Sequence, residues 1–276
     1  MSSNIILGGA QLGLNYGITG SDNYVGKENS RAILTCAQDF GIRSVDIAYD
    51  YGNIFDWITD INPGLDLISK IKIFNCENVL NVLKKHRNII NLTCLLIHDA
   101  DLFIANKSGK KKVYQLIEFC RINNIKWGIS IYEVDTIRNF IAQGVIPDLV
   151  QYPYNVLYSK DEIGKICLSH NIRTQIRSVL LQGLLTLPSF DNVPAQFSKN
   201  ASLKHWYGWL EEHNLNPIDT CLRSEHIMSK VKILGVQNVN QLKDLMERSQ
   251  GEIIKCTSLK LSDDKTLLDP RKWMNS

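Results

Sequence analysis

Four residues spread along the first hundred positions, Asp46, Tyr51, Lys70 and His98, have the side chains needed to hand a proton to an oxygen. A phenol with its ordinary pKa near 10 is a poor donor at neutral pH. An ammonium close by stabilises the tyrosinate and so lowers that pKa, and a carboxylate keeps the ammonium charged and oriented. An imidazole facing them can hydrogen-bond a carbonyl oxygen and hold it in line. Such a set would protonate an oxygen while hydride reaches its carbon. Singly, each residue has a plainer reading. Asp46 suits a helix cap or an ion pair, and Tyr51 suits a rim aromatic. Lys72 flanks the same strand end as Lys70, and His98 stands beside Asp99 as a ready structural pair. The signal lies in their joint occurrence at successive strand ends.

The elements that would position them can be read from apolar runs and their stops. Strands are expected at 4–7, 44–46, 65–70, 92–97, 126–130, 149–152, 173–179 and 231–235, short and continuously apolar, as for strands buried on both faces. Helical spacing follows at 27–40, 79–86, 113–123, 133–143, 161–170 and 240–248, with Gly41 as a natural stop for the first. Eight strand–helix units favour a closed parallel barrel over an open sheet. The expected architecture is therefore a single (β/α)8 TIM barrel of class α/β, with 1–276 as one domain. Residues 185–213, rich in Pro and Trp, form an insertion between strands 7 and 8, before a helix near 217–229. The tail 251–276 lacks a ninth unit and is expected to pack outside the barrel or over its mouth. In a barrel of this kind, Asp46, Tyr51, Lys70, His98, Ser130, Gln151 and Arg177 all converge on one mouth.

Composition excludes several classes. A net charge of +3 on 276 residues, with 44% hydrophobic and 21% charged, describes an ordinary core-forming protein. The lysine run 107–112 reads as a solvated loop, so no nucleic-acid partner is expected. Seven cysteines (Cys36, Cys76, Cys94, Cys120, Cys167, Cys221 and Cys256) show neither paired CxxC nor zinc spacing. They suit reduced, buried thiols and a cytoplasmic location. No signal-peptide pattern and no apolar run of membrane length is visible. The six histidines lack metal-ligand spacings, so no metal is expected.

Together these motifs resemble the aldo-keto reductases. The residues that carry the resemblance are Asp46-Ile47-Ala48-Tyr49-Asp50-Tyr51-Gly52, Ser69-Lys70, Leu95-Leu96-Ile97-His98, Gly128-Ile129-Ser130, Gln151-Tyr152-Pro153-Tyr154-Asn155, Leu181-Gln182-Gly183-Leu184-Leu185 and Ile233-Leu234-Gly235. They run in the family's order over most of the chain. The resemblance implies a nicotinamide cofactor bound in the barrel mouth, NADP with NAD as the alternative, and a small-molecule carbonyl substrate. By position it implies Tyr51 as general acid, Asp46 and Lys70 as the pair that tunes it, and His98 as the residue that orients substrate. It also implies cofactor contacts from Gly9, Ala10, Ser130, Gln151 and Arg177, and from Gly235, Gln237, Asn238 and Gln241 at a helix N-terminus, where free N–H groups favour an anion. The segments 9–18, 98–101 and 177–183 are similar to a bacterial subgroup often found with surface-polysaccharide or nucleotide-sugar biosynthesis, which makes a keto-sugar or nucleotide sugar the expected substrate.

Several positions depart from the family pattern, among them Ile54-Phe55, where the family usually has Ser-Glu. Ile131 follows Ser130 where Asn is usual, and Arg177 replaces a stacking aromatic. Gln237 and Asn238 are neutral where a 2′-phosphate would favour a cation, so NAD stays open beside NADP. Two other readings also stay open: a Lys70 Schiff-base lyase or aldolase, and a non-catalytic relative that binds nicotinamide.

Overall fold

The computed structural model describes residues 4–18, 24–61, 64–75, 79–86, 88–89, 91–103 and 109–275. Among them, eight parallel strands close into a barrel: β1 (Ile5–Gly8), β2 (Ser44–Asp46), β3 (Asp66–Ile71), β4 (Leu92–Ile97), β5 (Lys126–Ser130), β6 (Leu149–Pro153), β7 (Arg173–Arg177) and β8 (Lys232–Gly235). Each pairs with the next, and β8 returns to β1. The connections carry α1 (Ala10–Gly13), α2 (Gly26–Asp39), α3 (Ile54–Ile61), α4 (Val79–His86), α5 (Gly109–Ile122), α6 (Val134–Ala142), α7 (Glu162–Ser169), α8 (Ala201–Glu212), α9 (Pro217–Arg223) and α10 (Val239–Arg248). A last turn, α11 (Lys265–Leu268), lies in the tail. This is the expected barrel, with α8 and several 3-10 turns in the expected insertion between β7 and β8.

Alternation along the strands explains why particular residues reach the mouth. Ile6, Ile68, Cys94, Leu96 and Leu149 form an apolar cluster of their own inside the barrel. Successive side chains on a strand point to opposite faces, so the residue two positions later points inward again, one layer nearer the C-terminal rim. Two positions on from Ile6, Ile68, Leu96 and Leu149 stand Gly8, Lys70, His98 and Gln151. The pairing levels these ends: Gly8 registers with both Asp46 and Gly235, and Ser130 with Gln151. The larger core lies outside the barrel wall, between strands and helices, where Leu7, Val45, Ile97, Ile129 and Val150 meet Ile33, Leu34, Leu116, Ile137 and Phe140.

The structure differs from the sequence reading in four places. Residues 54–61 form helix α3 where a loop is expected; Ile54, Phe55, Trp57, Ile58 and Ile61 are all buried and share one helical face. Strand β7 stops at Arg177 because Ser178 turns to φ 58°. The helix expected over 217–229 ends at Arg223, where Ser224 becomes extended and bridges to Ile254. Helix α5 begins at Gly109, four residues early. Six cysteines are buried and free, while Cys76 lies outside the described residues, as does Lys107 of the lysine run.

Insertion and tail build a second core. Trp206 and Trp209 of α8 pack with Leu184, Leu185, Phe197, Leu267 and Trp273. The tail then reaches the mouth. Arg271 lies 3.4 Å from the ring centroid of Tyr132 and binds Asp269 at 2.7 Å and Asp101 at 3.3 Å. No helix of the described residues is long and apolar enough to cross a membrane, and no group of three or more His, Cys, Asp or Glu among them could hold a metal.

Candidate active site

The site begins where β2 ends. Past Asp46 the backbone keeps pairing with β3, through Ile47 N to Ile68 O at 2.8 Å and Tyr49 N to Lys70 O at 2.9 Å. It then turns, with Tyr51 N donating to Ala48 O at 3.0 Å. Helix α1 packs directly on this turn. A Cβ on Gly13 would stand 2.0 Å from the Tyr51 carbonyl oxygen, and one on Gly52, whose φ is 54°, would stand 2.1 Å from the Gly13 carbonyl. Only paired glycines let the two backbones approach so closely, and that contact fixes Tyr51 at the mouth.

Below Tyr51 lies a buried ion pair. Lys70, 1% exposed, donates to Asp46 Oδ1. The other carboxylate oxygen, Oδ2, accepts from Gln151 Nε2 at 2.8 Å. The Lys70 Nζ also sits 4.9 Å from the Tyr51 ring centroid. Of the two lysines at this strand end Lys70 is the buried one, while Lys72 is exposed and pairs with Asp50 at 2.6 Å. Burial pushes the Lys70 ammonium below its usual value, and contact with Asp46 works against that push. Burial, with the Asp46 charge adding to it and Arg177 opposing, holds the Tyr51 phenol well above the usual tyrosine range. The lowering expected from a neighbouring ammonium is therefore outweighed in the free protein, and Tyr51 is a protonated phenol.

His98 meets Tyr51 edge-on, with ring centroids 5.9 Å apart. Its charged neighbour is not the adjacent Asp99, which accepts from the backbone N–H groups of Ile73, Phe74 and Asn75 and so ties β3's loop to β4. Asp50 is the neighbour instead, with Oδ1 3.3 Å from His98 Nδ1. The two atoms are within reach of each other without forming a well-aligned hydrogen bond. Burial lowers the His98 pKa, and Asp50 opposes this. Burial raises the Asp50 carboxyl, but His98 and Lys72 outweigh it and hold the carboxyl well below the usual range.

A cavity opens from this cluster. Its wall includes Gly9, Ala10 and Gln11, then Asp46, Tyr51, Gln151 and Arg177 at the end nearest the ion pair. It runs along 178–183 to Gly235, Gln237 and Gln241 at the start of α10. Of the residues singled out from sequence, Ser130 is buried beside Gln151 without lining the cavity, and Asn238 caps α10 by accepting from Gln241 N at 2.9 Å. Arg177 is held on edge: Nη2 donates to the Ile131 carbonyl at 3.2 Å and the guanidinium lies 3.9 Å from the Tyr132 centroid. With Gln151 Nε2 turned to Asp46, its Oε1 is left buried with no protein donor. A buried unmatched acceptor on a cavity wall is what a ligand amide N–H₂ would satisfy. This acceptor therefore fits a carboxamide N–H₂ at this end, as a nicotinamide carries.

Sequence reasoning missed two features here. Gln151 is a partner of Asp46 as well as a cavity residue, and nothing local in sequence announces a contact across 105 positions. A second polar pair, Ser69 Oγ to His86 Nε2 at 3.0 Å, backs Lys70 from the helix side.

No family model matches the chain. Among curated proteins, an uncharacterized oxidoreductase of Schizosaccharomyces pombe is 27% identical over 221 residues, covering 74% of this chain and 77% of that protein. Among solved structures, Gox0644 in its apo form superposes with a TM-score of 0.65 at 19% identity, covering 95% of this chain and 90% of that one. An aldo-keto reductase from Brucella melitensis gives 0.62 at 18% identity, over 92% and 90% of the two chains. A point mutant of Gox0644 in complex with NADPH gives 0.60 at 16% identity, over 95% and 92%. The chain shares with these proteins the closed (β/α)8 barrel.

Proposed function

We propose that this protein is an NAD(P)H-dependent oxidoreductase of the aldo-keto reductase type, reducing an aldehyde or ketone to an alcohol. The observation that carries the reading is the buried Lys70–Asp46 pair directly beneath Tyr51, with His98 against the phenol's edge. Support comes from the barrel shared with aldo-keto reductases, from an NADPH complex among them, and from an oxidoreductase among the sequence relatives.

When bound, the nicotinamide supplies hydride to the carbonyl carbon. The residues of this chain do the rest. Tyr51 brings a proton held firmly by burial, and releases it only to an oxygen that is becoming negative. As the phenol oxygen takes charge in turn, the Lys70 ammonium and the Arg177 guanidinium stand nearby to stabilise it. Asp46 keeps Lys70 in place, and Gln151 keeps Asp46 in place while offering Oε1 to the carboxamide. His98 orients the carbonyl oxygen toward Tyr51, and Ser130 supports the Gln151 strand end. A Schiff-base role for Lys70 is disfavoured, because an amine nucleophile must be neutral and reachable, and this one is buried against a carboxylate.

The substrate class proposed is a keto-sugar or nucleotide sugar, on the strength of the segments 9–18, 98–101 and 177–183, and the location proposed is the cytoplasm, where buried free thiols stay reduced. The deciding experiment is Tyr51→Phe, with turnover measured on a carbonyl panel that includes keto-sugars and dinucleotide binding followed separately. Loss of a general acid costs about 10²–10⁴-fold in rate, while binding should hold. A variant that remains fully active would overturn the assignment.

A further inference from the structure

Among the described residues, the cavity has one basic lining side chain, Arg177, and it stands at the catalytic end. The far end is lined by Gln237, Gln241, Asp244 and Leu245 around α10 and by Ile218 of α9. If the reductase reading is right, on which this inference rests, a dinucleotide with its carboxamide at Gln151 extends along 178–183 and lays its adenosine against α10. NADP and NAD differ only there, by a phosphate on the adenosine ribose. A phosphate monoester carries about 1.5 to 2 negative charges at neutral pH, and proteins meet it with Arg or Lys.

Neither cation of α10 is placed to do so. Arg248 is committed: Nε donates to Asp244 at 2.7 Å and Nη1 to Asp219 at 2.9 Å. Asp219 also binds Arg223 at 2.8 Å, so two guanidiniums and two carboxylates close on one another. Lys243 is exposed and follows Gln241 by two positions, roughly 200° around the helix, which turns it off the cavity face. The first turn is also partly saturated by its own side chains, since Asn238 Oδ1 accepts from Gln241 N at 2.9 Å and Gln241 Oε1 from Gln237 N at 2.8 Å. What lines this end is two neutral amides and the Asp244 carboxylate, whose charge is already matched by Arg248, so groups suited to a hydroxyl are present and no cation is left for a phosphate.

We propose that this end of the cavity is built for the unphosphorylated ribose, so that NADH binds at least as tightly as NADPH, with Asp244 and Gln237 as the residues that set the preference. The test is direct binding, by quenching of protein fluorescence on titration with NADH and with NADPH, in the wild type, Gln237→Arg and Asp244→Asn. The wild type should bind NADH equally or more tightly. Gln237→Arg should tighten NADPH about tenfold or more by supplying the missing cation, with NADH held within about twofold. Asp244→Asn should shift the ratio toward NADPH by releasing Arg248 from one of its two carboxylate partners. A wild type that prefers NADPH by tenfold or more overturns this inference and leaves the reductase reading intact. Folded protein that binds neither dinucleotide overturns both.

Discussion

The Asp46–Lys70 pair is the most consequential contact at the scale of single residues. Both partners are almost wholly buried, and the remaining carboxylate oxygen is met by Gln151. Removing one partner leaves an uncompensated charge inside the protein, which costs about 3–5 kcal/mol. Lys70→Met and Asp46→Asn should each lower the unfolding free energy read from urea denaturation by that amount. The double variant should lose much less than the sum, and a double-mutant cycle with no coupling would show the pair to be energetically idle. His86 makes a second prediction. Burial lowers its pKa from 6.5 to about 4, against the pull of the Val82 carbonyl. Between those values the unfolded chain binds more protons than the folded one. The contribution is thus fully present above pH 6.5 and is lost as pH falls through 4, roughly 3 kcal/mol in all. Denaturation midpoints across pH 7 to 4 should fall more steeply for the wild type than for His86→Gln.

Much of this was legible in the sequence at residue level, and the limits have physical causes. Asp46, Tyr51, Lys70 and His98 could be read because each stands at a strand end whose apolar run announces it. The partner of His98 could not. Sequence offered Asp99, its neighbour, but consecutive residues at a strand end point apart, and the carboxylate that reaches His98 comes from Asp50 on another loop. Likewise the charge of Arg248 is plain in the sequence, while its sequestration by Asp219 and Asp244 depends on how α9 packs on α10.

At the scale of elements, the strands were readable to within a residue or two, and the misses concern how elements end. Helix α6 shows why. Its N-cap residue, Glu133, makes no side-chain cap. The segment entering the helix is held instead from the loop after β4: Asp101 accepts from Tyr132 N at 3.1 Å and from Thr136 Oγ1 at 2.7 Å, and also binds Arg271 of the tail. An anchor 31 positions from Tyr132 leaves no local signature. Asp101→Ala should cost about 1–3 kcal/mol, as leaving part-buried donors without an acceptor does, and Asp101→Asn should recover most of it, since an amide oxygen still accepts. Thermal denaturation of both variants checks this. Equal loss in the two would mean that the ion pair with Arg271, not these hydrogen bonds, carries the stability. Helix α3 is the opposite case: its apolar face was present in the sequence, but eight residues gave too short a period to read.

At the scale of the whole molecule, two apolar clusters raise the question of whether the chain unfolds as one unit. The barrel core and the core formed by insertion and tail are distinct in their buried members. Yet Tyr158 and Leu180 pack against both, and the bridge from Tyr158 to Ser262 ties the loop after β6 to the tail. Trp273 sits at the centre of the second cluster, edge-on to Phe197 at 5.0 Å, with Nε1 donating to Leu267 O at 3.0 Å. Trp273→Ala should therefore cost about 3–5 kcal/mol, the usual penalty for emptying a buried aromatic site. With the clusters joined at Tyr158 and Leu180, that loss should fall on the whole molecule: one cooperative transition, moved to lower denaturant, with fluorescence and far-UV circular dichroism coinciding. Because Arg271, two positions earlier, braces Tyr132 and through it Arg177, the same variant should also weaken dinucleotide binding while Tyr51 chemistry persists at saturating cofactor. If instead the variant melts in two steps, with the barrel's ellipticity outlasting the tryptophan signal, insertion and tail would be a separate folding unit and the 276 residues would not be one domain.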